Sequence, residues 1–452
     1  MTDWTVVAAA AAVLLVLLAI RTPVAFSLIT AALVGYSLLI GPDTAGATLS
    51  SLPYSTIADY NLVLVPMFMV MGLAANAAGI LESVFDLAAR ATRRLPGGLA
   101  IGATLSAGFL GGISGSSVAD TATLGRVTTG HMNKRGYDLG FSAAVVAASN
   151  TVAILIPPSL GLVLIGIITA QPIGPLLLAG IVPGVLTIVA YAVCCLLMAR
   201  VRPQDVFVDG VAPSKSHVDD VPKSDVVVMW SSLAGGIVLI GTVLGGLYSG
   251  VFTAVEAGFA GAAISILVAV VLIPLRRRRL GRDQASYRRL WPAITEAAEL
   301  TGMVFLLLVG ATMFSNFLVL AGVPSSVAST LSNDNLPPVV VAVGFLVVTL
   351  ILGAVLDPIA ITLIVAPIAF PVLTALGYDQ VWYAILFIKA VEIGLLTPPV
   401  GINAFVVASV TPGLRVERVF VRLIPFIATE LVVLTILFAF PQLITWLPGT
   451  AS

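Results

Sequence analysis

Apolar residues run along the chain in blocks of about twenty, roughly the length that spans a bilayer, and polar residues separate the blocks. In a window of about 19 residues, these blocks predict ten membrane-crossing helices. They lie near 4–20, 22–41, 60–79, 139–168, 175–199, 226–248, 251–275, 300–321, 381–411 and 423–447. In hydrocarbon, backbone polar groups must be bonded within the segment or by surrounding protein. The pattern therefore predicts an all-α integral membrane protein in contact with the lipid bilayer.

Two further apolar stretches, 99–129 and 337–373, are interrupted near their centres. The first contains Gly-Gly-Ile-Ser-Gly-Ser-Ser and the second contains Leu-Asp-Pro. Such a turn at membrane depth is tolerated only where protein or water surrounds it. We therefore expect two re-entrant hairpins, each entering and leaving on the same side.

The chain contains one pattern twice, at 112–158 and at 353–399, with a constant separation of 241 residues. The triplet that begins at Gly136 falls on the triplet that begins at Gly377. Both copies end on a pair of prolines that breaks a hydrophobic helix, at Pro157, Pro158, Pro398 and Pro399. Proline removes an N–H donor and leaves upstream carbonyls unpaired. Helices broken at corresponding places in two halves are typical of secondary transporters with ion sites near the midplane.

The distribution of basic residues predicts the orientation. Of the 22 lysines and arginines, all except Lys389 fall on one side of the predicted helices, which the positive-inside rule assigns to the cytoplasm. Both termini are then expected on the outer side of the membrane. Five crossings separate the spans at 60–79 and 300–321, so the second copy should be inverted relative to the first. Inverted repeats are the geometric basis of alternating access.

The pattern also divides the chain into segments. These are the first scaffold helices (1–79), the first transport repeat (80–199), a polar cytoplasmic linker (200–225), the second scaffold helices with an interfacial arm (226–299), and the second, inverted transport repeat (300–452). Mixed charge within 80–98 and 286–299 predicts helices that lie at the inner membrane surface.

Composition excludes several functions. Charged residues make up 10% of the chain, against roughly 25% in soluble domains, and the net charge is zero, so no nucleic-acid partner is expected. The sequence has no phosphate-binding loop, zinc-protease pair or nucleophile elbow. We therefore expect no enzyme activity, no ATP hydrolysis, no cofactor and no metal beyond a coupling ion. An intramembrane enzyme would need a paired acid and base or a metal motif, and a channel would lack saturable, ion-coupled flux.

Five charged residues stand at apparent membrane depth, where an unpaired charge costs roughly 2.5 to 3.5 kcal/mol. Lys389 and Glu392 are three residues apart and can either pair with each other or bind a ligand. Asp357 can either cap a half-helix or contact a substrate. For Glu256 and Glu430, packing or pairing is the favoured interpretation.

In its two hairpins and two broken helices the sequence resembles the large membrane subunit of tripartite ATP-independent periplasmic (TRAP) transporters. The matching stretches are GGISGSSVADTATLG at 111–125, KRGYD at 134–138, IPPSLGLVLIG at 156–166, LLLAGIVPG at 176–184, GAVLDPIAITLIVAPI at 353–368 and EIGLLTPPVGINAFV at 392–406. The resemblance implies an elevator-type, Na⁺-driven importer of a small organic acid in the inner membrane of a bacterium or archaeon. It also implies two partners: a soluble periplasmic substrate-binding protein and a separate small four-helix membrane subunit.

The resemblance further implies two mirrored sodium sites built mainly from backbone oxygens. One comprises Ser114, Ser116, Ser117, Asn150, Thr151 and Pro157, and the other comprises Gly353, Gly394, Thr397 and Val400. The substrate is expected between the hairpin tips, at Ser116, Ser149, Asn150, Asp357 and Asn403. Arg126 departs from the family pattern, which places a small polar residue there. The alternative is a stand-alone ion-coupled carboxylate or anion carrier of related architecture, without a binding protein.

Overall fold

A computed structural model of the chain describes residues 3–20, 22–114, 117–208, 210, 226–280, 290–327 and 337–450. Within these ranges the protein is helical, and its only β-type pairing is a single bridge between Tyr137 and Phe207. The helices are α1 (Trp4–Ala19), α2 (Val24–Ile40), α3 (Pro42–Ile57), α4 (Leu64–Ala77), α5 (Ile80–Thr92), α6 (Gly98–Ser114), α7 (Ser117–Leu124), α8 (Gly130–Asn133), α9 (Leu139–Ser149), α10 (Leu160–Ile168), α11 (Ile173–Val201), α12 (Pro203–Val206), α13 (Val226–Tyr248), α14 (Ala254–Leu280), α15 (Leu290–Leu320), α16 (Pro338–Gly353), α17 (Pro358–Ala375), α18 (Gln380–Leu396), α19 (Ile402–Val410), α20 (Val416–Ala439) and α21 (Gln442–Thr450).

The prediction of an all-α membrane protein is confirmed. Seven helical stretches among the described residues are long and apolar enough to cross a bilayer: Tyr60–Ala77, Ile173–Val201, Val226–Tyr248, Ala254–Leu275, Trp291–Leu320, Pro358–Ala375 and Val416–Ala439. Five further apolar helices in the described residues are shorter, and three of them end at a hairpin tip or a break: Gly98–Phe109, Leu139–Ile154 and Pro338–Gly353.

Helices α1 to α4 and α13 to α15 form one layer, which we call the scaffold. It comprises the predicted scaffold segments and, in α15, also residues 300–320, which the sequence pattern assigns to the second repeat. Helix α15 packs against α2 and α4, and α14 packs against α4. The centre of this layer is apolar, with Leu28, Val65, Val304 and Phe317 all fully buried. This packing holds the scaffold together beside the two repeats.

The two repeats contain equivalent elements in the same order. Hairpin α6/α7 corresponds to α16/α17, the broken helix α9/α10 to α18/α19, and α11 to α20. Even the local caps are duplicated. Asp138 accepts a hydrogen bond from Phe141 N (2.9 Å), and Asp379 accepts one from Trp382 N (2.7 Å). The prediction of two hairpins and two broken helices is therefore confirmed.

Helix α20 shows that the repeats are inverted. Arg418, near its first residue, forms an ion pair with Asp138 at the start of α9. Near its last residue, Leu437 O accepts a hydrogen bond of 3.2 Å from Trp382 Nε1 at the start of α18. A helix of 24 residues is about 36 Å long, so equivalent broken helices begin at opposite ends of α20. Opposite starting points mean that the two copies run in opposite directions.

The structure corrects several predicted boundaries. Residues 42–57, which the hydrophobic pattern leaves as a loop, form α3 because Pro42 occupies a first helical position, where proline is favoured. The predicted arm at 286–299 is continuous with the span after it, since α15 runs unbroken from Leu290 to Leu320, while 286–289 lie outside the described residues. The predicted span at 423–447 is divided into α20 and α21.

The predicted surface helix at 80–98 and the linker at 200–225 are only partly comparable with the structure. Helix α5 packs one face against α6 and α13, with Val84 and Phe85 buried. The linker begins with α12 and the bridge at Phe207. Residues 209 and 211–225 lie outside the described residues.

Candidate functional site

The tip of the first hairpin lies between α6 and α7. Ser114 is the last residue of α6, and Ser116 lies outside the described residues. Ser117 begins α7, and its side chain is buried. A Cβ added at Gly111 would lie 2.4 Å from the Cα of Ala153, so this hairpin packs directly against the first broken helix.

The first break follows α9 in three steps. The helix tightens into a 3₁₀ turn over Asn150–Ile154, passes through the cis Pro157–Pro158 bond, and resumes as α10. Thr151 Oγ1 donates to Ala148 O (2.8 Å), and Asn150 Nδ2 donates to Val146 O (2.9 Å). Both side chains therefore bond to the main chain of their own helix. Asn150 Oδ1 is buried and has no hydrogen-bond partner within the described chain.

The second predicted sodium site is more compact. Gly353 at the hairpin tip and Gly394 in α18 approach so closely that a Cβ added at Gly394 would lie 2.5 Å from Gly353 Cα. Thr397, where α18 has ended, donates through Oγ1 to Ile393 O (2.7 Å). Val400 N donates to Ala354 O (3.0 Å). The structure thus brings all four predicted residues to one tip and one break.

The predicted substrate residues are divided between two positions. Asn403 Nδ2 donates to Ser117 Oγ (2.7 Å) and to Ala147 O (3.2 Å), so it connects the second broken helix to the first repeat. Ser149 instead pairs with Thr104 Oγ1 (3.0 Å), away from the tip residues. Asn403, Ser149 and Asn150 do not line the cavity described next.

Asp357 is the N-cap of α17. Its Oδ1 accepts hydrogen bonds from Ile359 N (3.0 Å) and Ala360 N (3.1 Å). The capping interpretation is therefore confirmed, and the second carboxylate oxygen has no part in these two bonds. Asp357 is half-buried and borders a cavity.

This cavity, of about 480 Å³, lies between the two hairpin tips and the scaffold. Ser117 comes from the first tip, Asp357 and Thr362 come from the second, and Glu296 comes from α15. The remaining lining is apolar and includes scaffold side chains: Met69, Leu300, Met303 and Val304. A small organic molecule could therefore contact both repeats and the scaffold at once.

Three charged side chains form a buried charge cluster within the second repeat: Lys389, Glu392 and Glu430 are all fully buried. Lys389 Nζ lies 2.7 Å from Glu392 Oε2, contacts Glu430 Oε2, and donates to Thr187 Oγ1 at 3.1 Å. Of the two interpretations left open for Lys389 and Glu392, the structure shows pairing, and Glu430 joins the same pair.

Two other charged residues considered in the sequence, Glu256 and Arg126, are exposed. Glu256 is exposed and accepts hydrogen bonds from Thr253 N (2.8 Å) and Thr253 Oγ1 (2.9 Å), which cap α14. Arg126 is exposed on a π turn at Gly125–Thr129. Neither residue borders the cavity.

Two long-range contacts could not be found by sequence reasoning. Ser117 pairs with Asn403 across 286 residues, and Lys389 pairs with Glu430 on a different helix. The available signal was the cost of an intramembrane charge, which indicates that a partner exists but not which one.

The sequence matches known transporters along nearly its whole length. Residues 11–443 match the family described as tripartite ATP-independent periplasmic transporter, DctM component. Over 412 residues the chain is 32% identical to the C4-dicarboxylate TRAP transporter large permease protein DctM of Pseudomonas aeruginosa, covering 91% of each chain. Over 438 residues it is 29% identical to the sialic acid TRAP transporter permease protein SiaT of Haemophilus influenzae, covering 96% of this chain and 67% of the other.

A solved structure supports the fold independently. The crystal structure of the Alcanivorax borkumensis YdaH transporter aligns with a TM-score of 0.61 at 17% identity and covers 89% of each chain. At this identity the likeness concerns the fold alone.

Proposed function

The chain belongs to the tripartite ATP-independent periplasmic transporter family as its large membrane subunit, and from this premise we propose that it imports a small organic acid together with sodium ions. The observation that carries the proposal is the mirrored pair of hairpin tips, each packed against the break of its own repeat, on two sides of one cavity. Coupling ions are held at such breaks in inverted-repeat carriers.

The atoms at the second break suit sodium. Main-chain carbonyls and the Thr397 hydroxyl offer uncharged oxygen atoms as ligands, and hard cations prefer oxygen ligands. The Thr397 hydroxyl donates its hydrogen to Ile393 O, so its lone pairs can accept a cation. The close contact between Gly353 and Gly394 keeps backbone oxygens of the tip and the break near each other. We assign Gly353, Gly394, Thr397 and Val400 to this site and Ser114, Ser116, Ser117, Asn150, Thr151 and Pro157 to its mirror.

The substrate is proposed to be a small carboxylate. Two relatives carry names that specify a C4-dicarboxylate and sialic acid, and both compounds are organic acids. The cavity at the hairpin tips offers Ser117, Asp357 and Thr362 as polar groups. Because Asp357 is itself acidic, a bound sodium ion is proposed to offset repulsion between its carboxylate and that of the substrate.

Alternating access is proposed to follow an elevator mechanism. The repeats run in opposite directions, and the cavity has walls from both the repeats and the scaffold. Movement of the repeats along α4 and α15 would carry the cavity from one membrane face to the other. The apolar scaffold side chains at this boundary, such as Met69 and Leu300, would permit sliding because they form no directional bonds.

The sodium gradient is sufficient for accumulation. Entry of one net positive charge releases roughly 2.3 kcal/mol per 100 mV, and each ion moving down a tenfold gradient releases about 1.4 kcal/mol. At about 100 mV and a roughly tenfold sodium gradient, entry of two sodium ions with one monocarboxylate would release about 5 kcal/mol. This energy supports accumulation of the acid between about 10³- and 10⁴-fold. No ATP is needed in this scheme.

The proposed assembly has three proteins. We propose that a periplasmic binding protein delivers the acid, that a separate small membrane subunit completes the permease, and that both termini of this chain face the periplasm of an inner membrane. The charge distribution supports the orientation, because loops near Arg90, Arg202 and Arg415 are basic.

The test is uptake into proteoliposomes that contain the chain with its small subunit. An inward sodium gradient should drive accumulation of the labelled acid only when the loaded binding protein is outside. Accumulation without the binding protein would support a stand-alone carrier instead. Accumulation that persists after the sodium gradient is collapsed would contradict sodium coupling.

A further inference from the structure

The buried charge cluster connects three helices that belong to both repeats. Lys389 and Glu392 are on α18, Glu430 is on α20, and Thr187 is on α11 of the first repeat. The Lys389 ammonium contacts all three partners, at 2.7 Å from Glu392 and 3.1 Å from Thr187. One side chain therefore joins α18 to a neighbour from each repeat.

The cluster is absent from the duplicated pattern. The positions 241 residues before Lys389 and Glu392 are Ala148 and Thr151, and neither carries a charge. The Thr151 hydroxyl bonds to its own helix, at Ala148 O. The architecture therefore does not require charges at this position, and the second repeat contains them for another reason.

The location of the cluster suggests that reason. Glu392 is two residues before Gly394, which contacts the hairpin tip at Gly353. Thr397 follows Gly394 within about one helical turn. A displacement of α18 would therefore change the separation between the tip and the break. Such a displacement would also move the main-chain oxygens assigned to sodium.

We propose that Lys389 and Glu430 are positioning residues for the second sodium site, because their contact fixes the end of α18 relative to α20 and α11. Neither side chain touches the ion. The inference rests on the proposed sodium coupling and adds the residues that hold the site in its binding geometry. A buried ion pair is not in general a source of net stability. Its contact is directional, however, and a sodium site requires oxygen ligands that are held in a fixed arrangement.

A pair of substitutions at Glu430 separates contact from charge. Glu430→Gln keeps an oxygen acceptor near Lys389, whereas Glu430→Leu removes every polar contact at similar size. Both variants have the same formal charge, because each replaces the Glu430 carboxylate with a neutral side chain. In both, the Lys389 ammonium stays paired with Glu392. Glu417→Leu on the same helix is the surface control, since Glu417 is 70% exposed.

The measurements are the sodium concentration that gives half-maximal uptake, the apparent affinity for the acid at saturating sodium, and the thermal unfolding midpoint. Glu430→Leu should raise the half-maximal sodium concentration about fivefold, equivalent to about 1 kcal/mol. Glu430→Gln and Glu417→Leu should stay within twofold of the unsubstituted protein. The acid affinity at saturating sodium should not change in any variant.

Each other outcome overturns the inference. An unchanged sodium requirement in Glu430→Leu would make the cluster structural only, even if the unfolding midpoint falls. Equal effects of the glutamine and leucine variants would assign the role to charge and not to contact. If the unsubstituted protein needs no sodium, the proposed function fails first, and that result is distinct because it appears before any variant is compared.

Discussion

Gly394→Ala tests the second sodium site most sharply. The added Cβ would lie 2.5 Å from Gly353 Cα, 2.6 Å from Gly353 C and 3.0 Å from Leu350 O. All three atoms are backbone, so no side-chain rotation can relieve the clash. The hairpin tip must move away by about 1 Å to reach an ordinary contact, and overpacking of this kind typically costs about 1 to 3 kcal/mol.

The displacement should weaken sodium binding specifically. Gly353 and Gly394 are proposed to present oxygens to one ion, so separating them removes at least one ligand from its binding distance. If half of the strain is expressed as lost sodium affinity, that loss is about 0.5 to 1.5 kcal/mol, and the half-maximal sodium concentration rises by about 2- to 12-fold. The maximal rate at saturating sodium should fall less, because excess sodium restores occupancy.

The matched control is Gly344→Ala on α16, the same hairpin arm. No atom lies within 4 Å of a Cβ added there, and alanine is favoured over glycine in a helix by roughly 1 kcal/mol. Gly344→Ala should therefore transport normally and unfold at the same or a higher temperature. Sodium activation would be measured for both variants in proteoliposomes, with thermal unfolding as the folding check. A folded Gly394→Ala variant with normal sodium activation would exclude the contact between Gly353 and Gly394 from the sodium site.

Three further substitutions test separate contacts. Thr397→Ala should raise the half-maximal sodium concentration severalfold, because it removes a proposed ligand. The control Thr349→Ala loses a similar bond to its own helix and should not change that concentration. Unchanged sodium activation in Thr397→Ala would remove Thr397 from the site. Asp138→Asn keeps a helix cap but loses two ion pairs. We expect the free energy of unfolding to fall by about 1 to 2 kcal/mol, seen as a lower unfolding midpoint. The control Asp379→Asn should change the midpoint little, and equal midpoints in the two variants would contradict this. Asn403→Ala leaves two buried acceptors without their donor, and we expect slower uptake with about 1 to 3 kcal/mol lost, to be checked by uptake rates and unfolding together.

Most of the fold is predictable because its signals are local. Apolar blocks indicate membrane helices, and the glycine and proline signals that break them lie at the places where the chain turns or stops. The constant separation of the two copies then relates Gly136 to Gly377, and both residues have positive φ, 80° and 83°. The opposite orientation of the copies follows from counting crossings, and the contacts at the two ends of α20 agree with it.

Long-range pairing limits what the sequence can reveal about the site. Lys389 and Glu430 are recognisable as intramembrane charges, but their contact depends on how α18 packs against α20. The bond between Asn403 and Ser117 depends likewise on the way the two repeats meet. Helix α3 is missed for a different reason: its composition is mixed and it contains Pro53, so the hydrophobic pattern resembles that of a loop.

Sodium coupling requires that the acid and sodium cross the membrane together. The most direct measurement follows labelled acid and radioactive sodium entering the same proteoliposomes, with the binding protein and small subunit present and the membrane potential held constant. Both should enter in a fixed ratio, and Gly394→Ala should lower both fluxes in the same proportion at limiting sodium. Entry of the acid without sodium, or a ratio that varies freely with sodium concentration, would contradict it.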